Sequence, residues 1–134
     1  MSLLNLGFKI IQNRETSRII INAIDKKTKR TAFEFAFDTT TYIFDDNYRM
    51  RIMELEIESK QYGNYVKLSN MVNEFKVNQS LFKTWPYSKL LTGKAIEILS
   101  NNNRLKEIQD YDDEYILTLS GLEKIESFIK FKNT

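Results

Sequence analysis

Thr31-Ala32-Phe33-Glu34-Phe35-Ala36-Phe37-Asp38 is the stretch that decides the fold. Phe33, Phe35 and Phe37 fall on one side of it, and Glu34, Ala36 and Asp38 on the other. That two-residue period is the mark of a half-buried strand, and it predicts that the three phenylalanines share the buried face. Upstream, the isoleucine-rich run from Arg18 to Asp25 reads as a preceding strand, and Lys26-Lys27-Thr28-Lys29-Arg30 as a solvated turn between the two. Downstream, Thr39 to Phe44 prolongs the β character and Asp45-Asp46-Asn47 marks a turn. Residues 48–59 form the next strand. Met53, Leu55 and Ile57 lie on one of its faces, and Met50, Ile52, Glu54, Glu56 and Glu58 on the other.

Beyond Gly63 the period lengthens. Tyr65, Leu68, Val72 and Phe75 recur at steps of three and four, which predicts an amphipathic helix from about Asn64 to Lys76. Ser88 is a plausible N-cap for a second helix through Leu91, Ala95, Ile98 and Leu99, stopped by Asn101-Asn102-Asn103. Tyr115 to Leu119 reads as a short extended stretch. Ser120-Gly121-Leu122-Glu123 has the form of a capping box opening a last helix, with Leu122, Ile125, Phe128 and Ile129 on one face. Strands over about 18–60 followed by helices over about 64–131 make an α+β chain: an antiparallel sheet with covering helices, in a single domain of 134 residues.

Composition narrows the chemistry. At 42% hydrophobic and 28% charged the chain is ordinary for a soluble globular protein. It has no cysteine, which excludes disulfides and thiolate metal sites, and no histidine, which removes imidazole from metal binding and acid–base work. The net charge of +2 is evenly spread, so no half resembles a nucleic-acid arm. No apolar run approaches the ~20 residues of a membrane span. A cytoplasmic protein is therefore expected, with neither a membrane nor a nucleic-acid partner. Met1-Ser2-Leu3 reads as a cloning leader, which would make the chain an excised piece of a longer protein. The tail around Tyr115 to Ile125 resembles the closing strand and helix of some winged-helix proteins, but no basic recognition helix precedes it.

The most informative chemistry lies in Met53-Glu54-Leu55-Glu56-Ile57-Glu58-Ser59-Lys60. On a strand the three glutamates project to one side at intervals of about 6.5–7 Å. Carboxylates that close repel one another unless a cation sits opposite, and a hard divalent ion such as Mg²⁺ or Mn²⁺ suits them. The same alternation is also what the wet face of a one-sided antiparallel sheet shows. Both readings stand on the residues alone. For Arg14 and Arg18, and for Arg49 and Arg51, a solvated position is the expectation.

Over about residues 30–99 the chain resembles the CYTH-like superfamily of triphosphate tunnel metalloenzymes, which includes the polyphosphate polymerase domain of the vacuolar transporter chaperone. The resemblance rests on Phe35-Ala36-Phe37-Asp38, on Glu54-Leu55-Glu56-Ile57 after a hairpin, and on Trp85-Pro86-Tyr87-Ser88-Lys89 ahead of Gly93. It implies half of a tunnel-shaped barrel that binds triphosphate or polyphosphate with Mg²⁺ or Mn²⁺. Glu54 and Glu56 would be metal ligands, and Ser88 and Lys89 phosphate contacts. The family's amino-terminal Glu-x-Glu-x-Lys signature is absent, Glu34 stands where a phosphate-binding Arg often sits, and Pro86 where a Lys is sometimes found. A charge deficit around the phosphate follows, and with it weak or no catalysis. The alternative is a non-catalytic module that keeps the half-barrel for ligand binding or oligomerisation. Its open edges would then pair in a homodimer or with the missing amino-terminal half.

Overall fold

The structure, a computed structural model, describes residues 2–44, 48–61, 64–77, 82–102, 105 and 115–132. Three strands form one antiparallel sheet in the order β1 (Asn13–Ile24), β2 (Thr31–Ile43), β3 (Arg49–Ser59). Three helices follow: α1 (Tyr65–Val77), α2 (Lys89–Asn101) and α3 (Leu119–Lys132). The α+β class is as the sequence predicts, and the sheet is open rather than closed into a barrel. The turns at Asp45-Asp46-Asn47 and around Gly63, and the acidic run Tyr111 to Glu114, lie outside the described residues.

β1 starts at Asn13, five residues before the expected start at Arg18, so Arg14 is a strand residue too. The β1–β2 hairpin is built by its own backbone. The Asp25 N–H donates to Arg30 O at 2.8 Å and the Lys29 N–H to Asp25 O at 2.8 Å, with Lys29 in the left-handed region at φ 61°. Asp25 Oδ1 accepts from Lys27 N at 2.7 Å and Thr28 N at 3.0 Å. Those N–H groups, Thr28's first, hold the Asp25 carboxyl below its usual range. The basic run is thus a solvated hairpin loop, as expected.

Contacts divide the chain into two compact units. One comprises residues 1–15, 41–51 and 88–134, the other residues 16–40 and 52–87, and each strand gives one end to each unit. The first unit holds most of the buried apolar side chains. Tyr42 and Met50 come from the ends of β2 and β3, Ala95, Ile96 and Leu99 from α2, and Ile125 and Ile129 from α3, which packs on α2. Each large aliphatic side chain buried there contributes about 1.5–3 kcal/mol. The extended stretch at Tyr115 to Leu117 is present as a parallel bridge to Arg51: Arg51 N donates to Tyr115 O at 2.8 Å and Leu117 N to Arg51 O at 2.9 Å.

The helix ends show what each cap residue does. Ser88 caps α2, its Oγ accepting from Leu91 N at 3.1 Å, and Asn102 ends it. For α3 the cap is Thr118 and not Ser120. Thr118 Oγ1 accepts from Gly121 N at 3.1 Å, which starts the helix at Leu119 and leaves no place for the capping box.

The second unit has a thinner core of Ala32, Phe33, Ala36 and Ile52. Here the face expectation fails. Of the three phenylalanines of β2 only Phe33 is buried, with Phe35 half-buried and Phe37 42% exposed, whereas Ala32, Ala36, Asp38, Thr40 and Tyr42 are buried, as is Thr41. Alternation shows that two faces differ, but which one is covered depends on what docks there. At the carboxy-terminal end of β2, in the first unit, Tyr42 Oη donates to Lys89 O at 2.9 Å. α1 buries no side chain fully; Leu68, Val72 and Phe75 are half-buried, Tyr65 is 69% exposed, and Phe75 meets Phe82 edge-on at 5.3 Å.

Gly93 makes the close fit of α2 on β2 possible. A Cβ there would lie 2.6 Å from Cε1 of the buried Tyr42 ring and would strike the Gln12 amide, which donates to Leu90 O at 3.0 Å. Gln12 can swing aside, but the Tyr42 ring cannot. Gly93→Ala is therefore expected to lower stability by about 1–3 kcal/mol, overriding the ~1 kcal/mol helix-propensity gain. Urea denaturation of the two proteins checks this, and an alanine variant at least as stable as the parent would refute the fit.

Candidate acidic site on the sheet

β2 and β3 are antiparallel neighbours in a register that sets Phe44 against Tyr48 and Ala32 against Lys60, so their even-numbered side chains project from the same face of the sheet. Asp38 on β2 and Glu54 and Glu56 on β3 come together in this way. Each offers a carboxylate oxygen, and the three oxygens lie within 4.8 Å of one another. The environment changes along the group: Asp38 is buried, Glu54 half-buried and Glu56 exposed. Glu58, the third glutamate of the sequence pattern, leaves the group. It accepts from Lys60 Nζ at 3.0 Å, and Glu34 lies 3.5 Å from the same ammonium. These carboxylates, Glu58 foremost, raise the Lys60 pKa above its ordinary value.

The positive charge that answers the cluster belongs to the chain itself. Arg18 on β1 donates through Nε to Asp38 Oδ1 at 2.6 Å and through Nη2 to Asp38 Oδ2 at 2.7 Å, a two-pronged pair, and Nη2 also reaches Glu56 Oε2 at 3.0 Å. The Asp38 hydrogen bond holds the guanidinium still more firmly in its charged form. Arg18 is exposed, as expected, with 42% of its side chain accessible, but its head group is held by a carboxylate side chain with no exposed surface. Beside this pair, Thr16 Oγ1 and Thr40 Oγ1 share a hydrogen bond of 3.2 Å between β1 and β2.

Of the four site residues expected from sequence, Glu54 and Glu56 are gathered with Asp38. Ser88 and Lys89 belong to the other unit, at the start of α2, where the Ser88 hydroxyl is engaged as the helix cap and the Lys89 carbonyl accepts from Tyr42. Sequence reading missed Arg18 and Asp38 as members of the cluster. Alternation within each strand was legible, but the register that brings positions 18, 38, 54 and 56 to one face is set by strand pairing and could not be read from the sequence. Among the described residues no helix is long and apolar enough to cross a membrane. The chain matches no family model, no curated protein and no solved structure.

If the guanidinium is what compensates Asp38, then Arg18→Met should lower the melting temperature clearly, and more than Arg14→Gln does. The double variant Arg18→Met/Asp38→Leu should recover most of the loss, since replacing both charges by apolar groups removes the uncompensated one. Thermal melts of the three variants beside the parent give the comparison.

Proposed function

We propose that this chain is a non-catalytic module that assembles with a second copy of itself by pairing the two β1 edges. The observation that carries the reading is the surface of β1. It is an edge strand of 12 residues on which every side chain but the half-buried Ala23 is exposed. Ile19, Ile20, Ile21 and Ile24 are among them, at 64%, 50%, 54% and 53% exposure. An edge of that length and apolarity is a template for another strand. Its sequence also suits a copy of itself. In an antiparallel pair centred on Ile20, Ile19 faces Ile21 of the other copy, Arg18 faces Asn22, and Thr16 faces Ile24. Over residues 16–24 no like charges are set directly opposite and the apolar triplet meets itself at the two-fold axis; beyond them Glu15 would face Asp25 and Arg14 would face Lys26, which confines the pairing to that stretch.

A second reading, a triphosphate- or polyphosphate-binding site with Mg²⁺ or Mn²⁺ of the kind the CYTH-like resemblance implies, draws support from the three gathered carboxylates. Three carboxylate donors suit a hard cation. As they stand, however, both oxygens of Asp38 and one of Glu56 are taken by Arg18. A metal would have to displace the guanidinium, and a polyanion would meet three carboxylates with one guanidinium between them. The donor set does not fit the ion in this arrangement.

Sedimentation or light scattering at micromolar concentration should find a dimer, and Ile20→Lys, which sets two ammonium groups face to face at the axis, should give a folded monomer. A monomeric parent would end the first reading. Calorimetric titration with Mn²⁺ should give no saturable heat that distinguishes the parent from Glu54→Gln/Glu56→Gln. Saturable heat in the parent, lost in the double variant, would establish the second reading instead.

A further inference from the structure

In the second unit, the tip of the β1–β2 hairpin carries Lys26, Lys27, Lys29 and Arg30, all exposed. Among the described residues none of the four is in an ion pair. The hairpin backbone favours charge over comfort. Asp25 exchanges hydrogen bonds with both Lys29 and Arg30, so two residues oppose one, a bulge whose first residue is ordinarily a left-handed glycine. Here that residue is Lys29, at φ 61°. Glycine would relieve the backbone and lose the cation. A further cation joins from α1. The Asp25 carboxyl, held low first by the Thr28 and Lys27 N–H groups, also feels the charge of exposed Lys67. Just before α1, Gln61 Nε2 reaches Thr28 Oγ1 at 3.5 Å.

The form of the tip selects its partner. The N–H groups of Lys27, Thr28 and Lys29, which could cradle a small anion, are already taken by Asp25. What remains is a row of long, exposed cationic side chains, suited to charge spread over a surface. Lysine outnumbers arginine in it, and a flexible point charge matches a diffuse anionic layer better than it matches bidentate recognition of one phosphate. Next to Lys67, Tyr65 and Val66 are 69% and 72% exposed. A valine beside the cations adds nothing to the binding of a soluble polyanion, but an aliphatic and an aromatic side chain both gain by entering the headgroup boundary of a bilayer.

We propose that this end of the second unit docks on an anionic lipid surface, with Lys26, Lys27, Lys29, Arg30 and Lys67 against the headgroups and Tyr65 and Val66 in the boundary beneath them. Lying against a surface requires no apolar run of spanning length, the observation on which the expectation of no membrane partner rested. The tip lies outside the stretch of β1 that pairs with a second copy, so either proposal can fail without the other. The test floats the whole chain with vesicles of phosphatidylcholine, alone or with phosphatidylserine added. Binding should appear with the anionic vesicles only and fade as ionic strength rises above about 0.1 M. Each cation near such a surface strengthens binding about fivefold. Lys27→Gln and Lys29→Gly should therefore each weaken it about fivefold, and the two together about twenty-five-fold, whereas Lys29→Arg should leave it unchanged. Lys29→Gly should also raise the melting temperature, because it relaxes the left-handed backbone, so its weaker binding cannot come from a damaged fold. The proposal is overturned by binding to neither vesicle, by equal binding to both, by full affinity in the double variant, or by tighter binding of a duplex oligonucleotide than of the anionic lipid.

Discussion

A carboxylate with no exposed surface in the middle strand of a three-stranded sheet must be answered by a positive charge, and much of the second unit is arranged around that need. Asp38 sits on β2. Arg18 reaches it from β1 with two hydrogen bonds and spends a third on Glu56 of β3, so one guanidinium ties all three strands on one face. Arginine suits the role because its planar fork matches both oxygens of a carboxylate at once; a lysine would offer a point charge only. Its neighbours on the same face of β2, Ala36 and Thr40, are small and buried.

The same residue explains why an acidic strand need not mean a metal. Glu54, Glu56 and Glu58 look in sequence like three equivalent ligands. In the structure they have different company: Glu54 and Glu56 cluster with Asp38, and Glu58 turns to Lys60. The positive charge that a row of carboxylates calls for can be a side chain from a neighbouring strand, and nothing in the spacing of the glutamates distinguishes it from an ion.

What was legible in the sequence was whatever depends on near neighbours in the chain. The β2 and β3 strands, the hairpin at Lys26 to Arg30, the Ser88 cap and the three helices each follow from period, turn chemistry or capping within a few residues. What depends on partners far along the chain was not legible. Phe33, Phe35 and Phe37 outweigh Ala32, Ala36 and Asp38 in apolar surface, yet Ala32, Ala36 and Asp38 are all buried while Phe33 alone of the three rings is, because which face is covered is decided by segments far along the chain. Ser120 has a better capping-box pattern than Thr118, but the bridge of Ile116 to Arg51 lies just upstream, and the helix begins as that extended stretch ends. Gly93 drew notice as part of a phosphate motif. Its role in the structure is clearance for the Tyr42 ring.

The two outer strands of the sheet differ in how they would treat a newcomer. β1 presents isoleucine. β3 presents a row of carboxylates and, at Arg51, has its backbone already occupied by the segment around Ile116. A second copy joining through β1 would use up the attractive margin of both molecules and leave glutamate-bearing margins outermost, where a third copy would meet like charge. Were β1 to pair as proposed, the asymmetry of the sheet would set a stopping rule: growth would end at two, and the glutamates of β3 would stand between a paired β-sheet and a fibre.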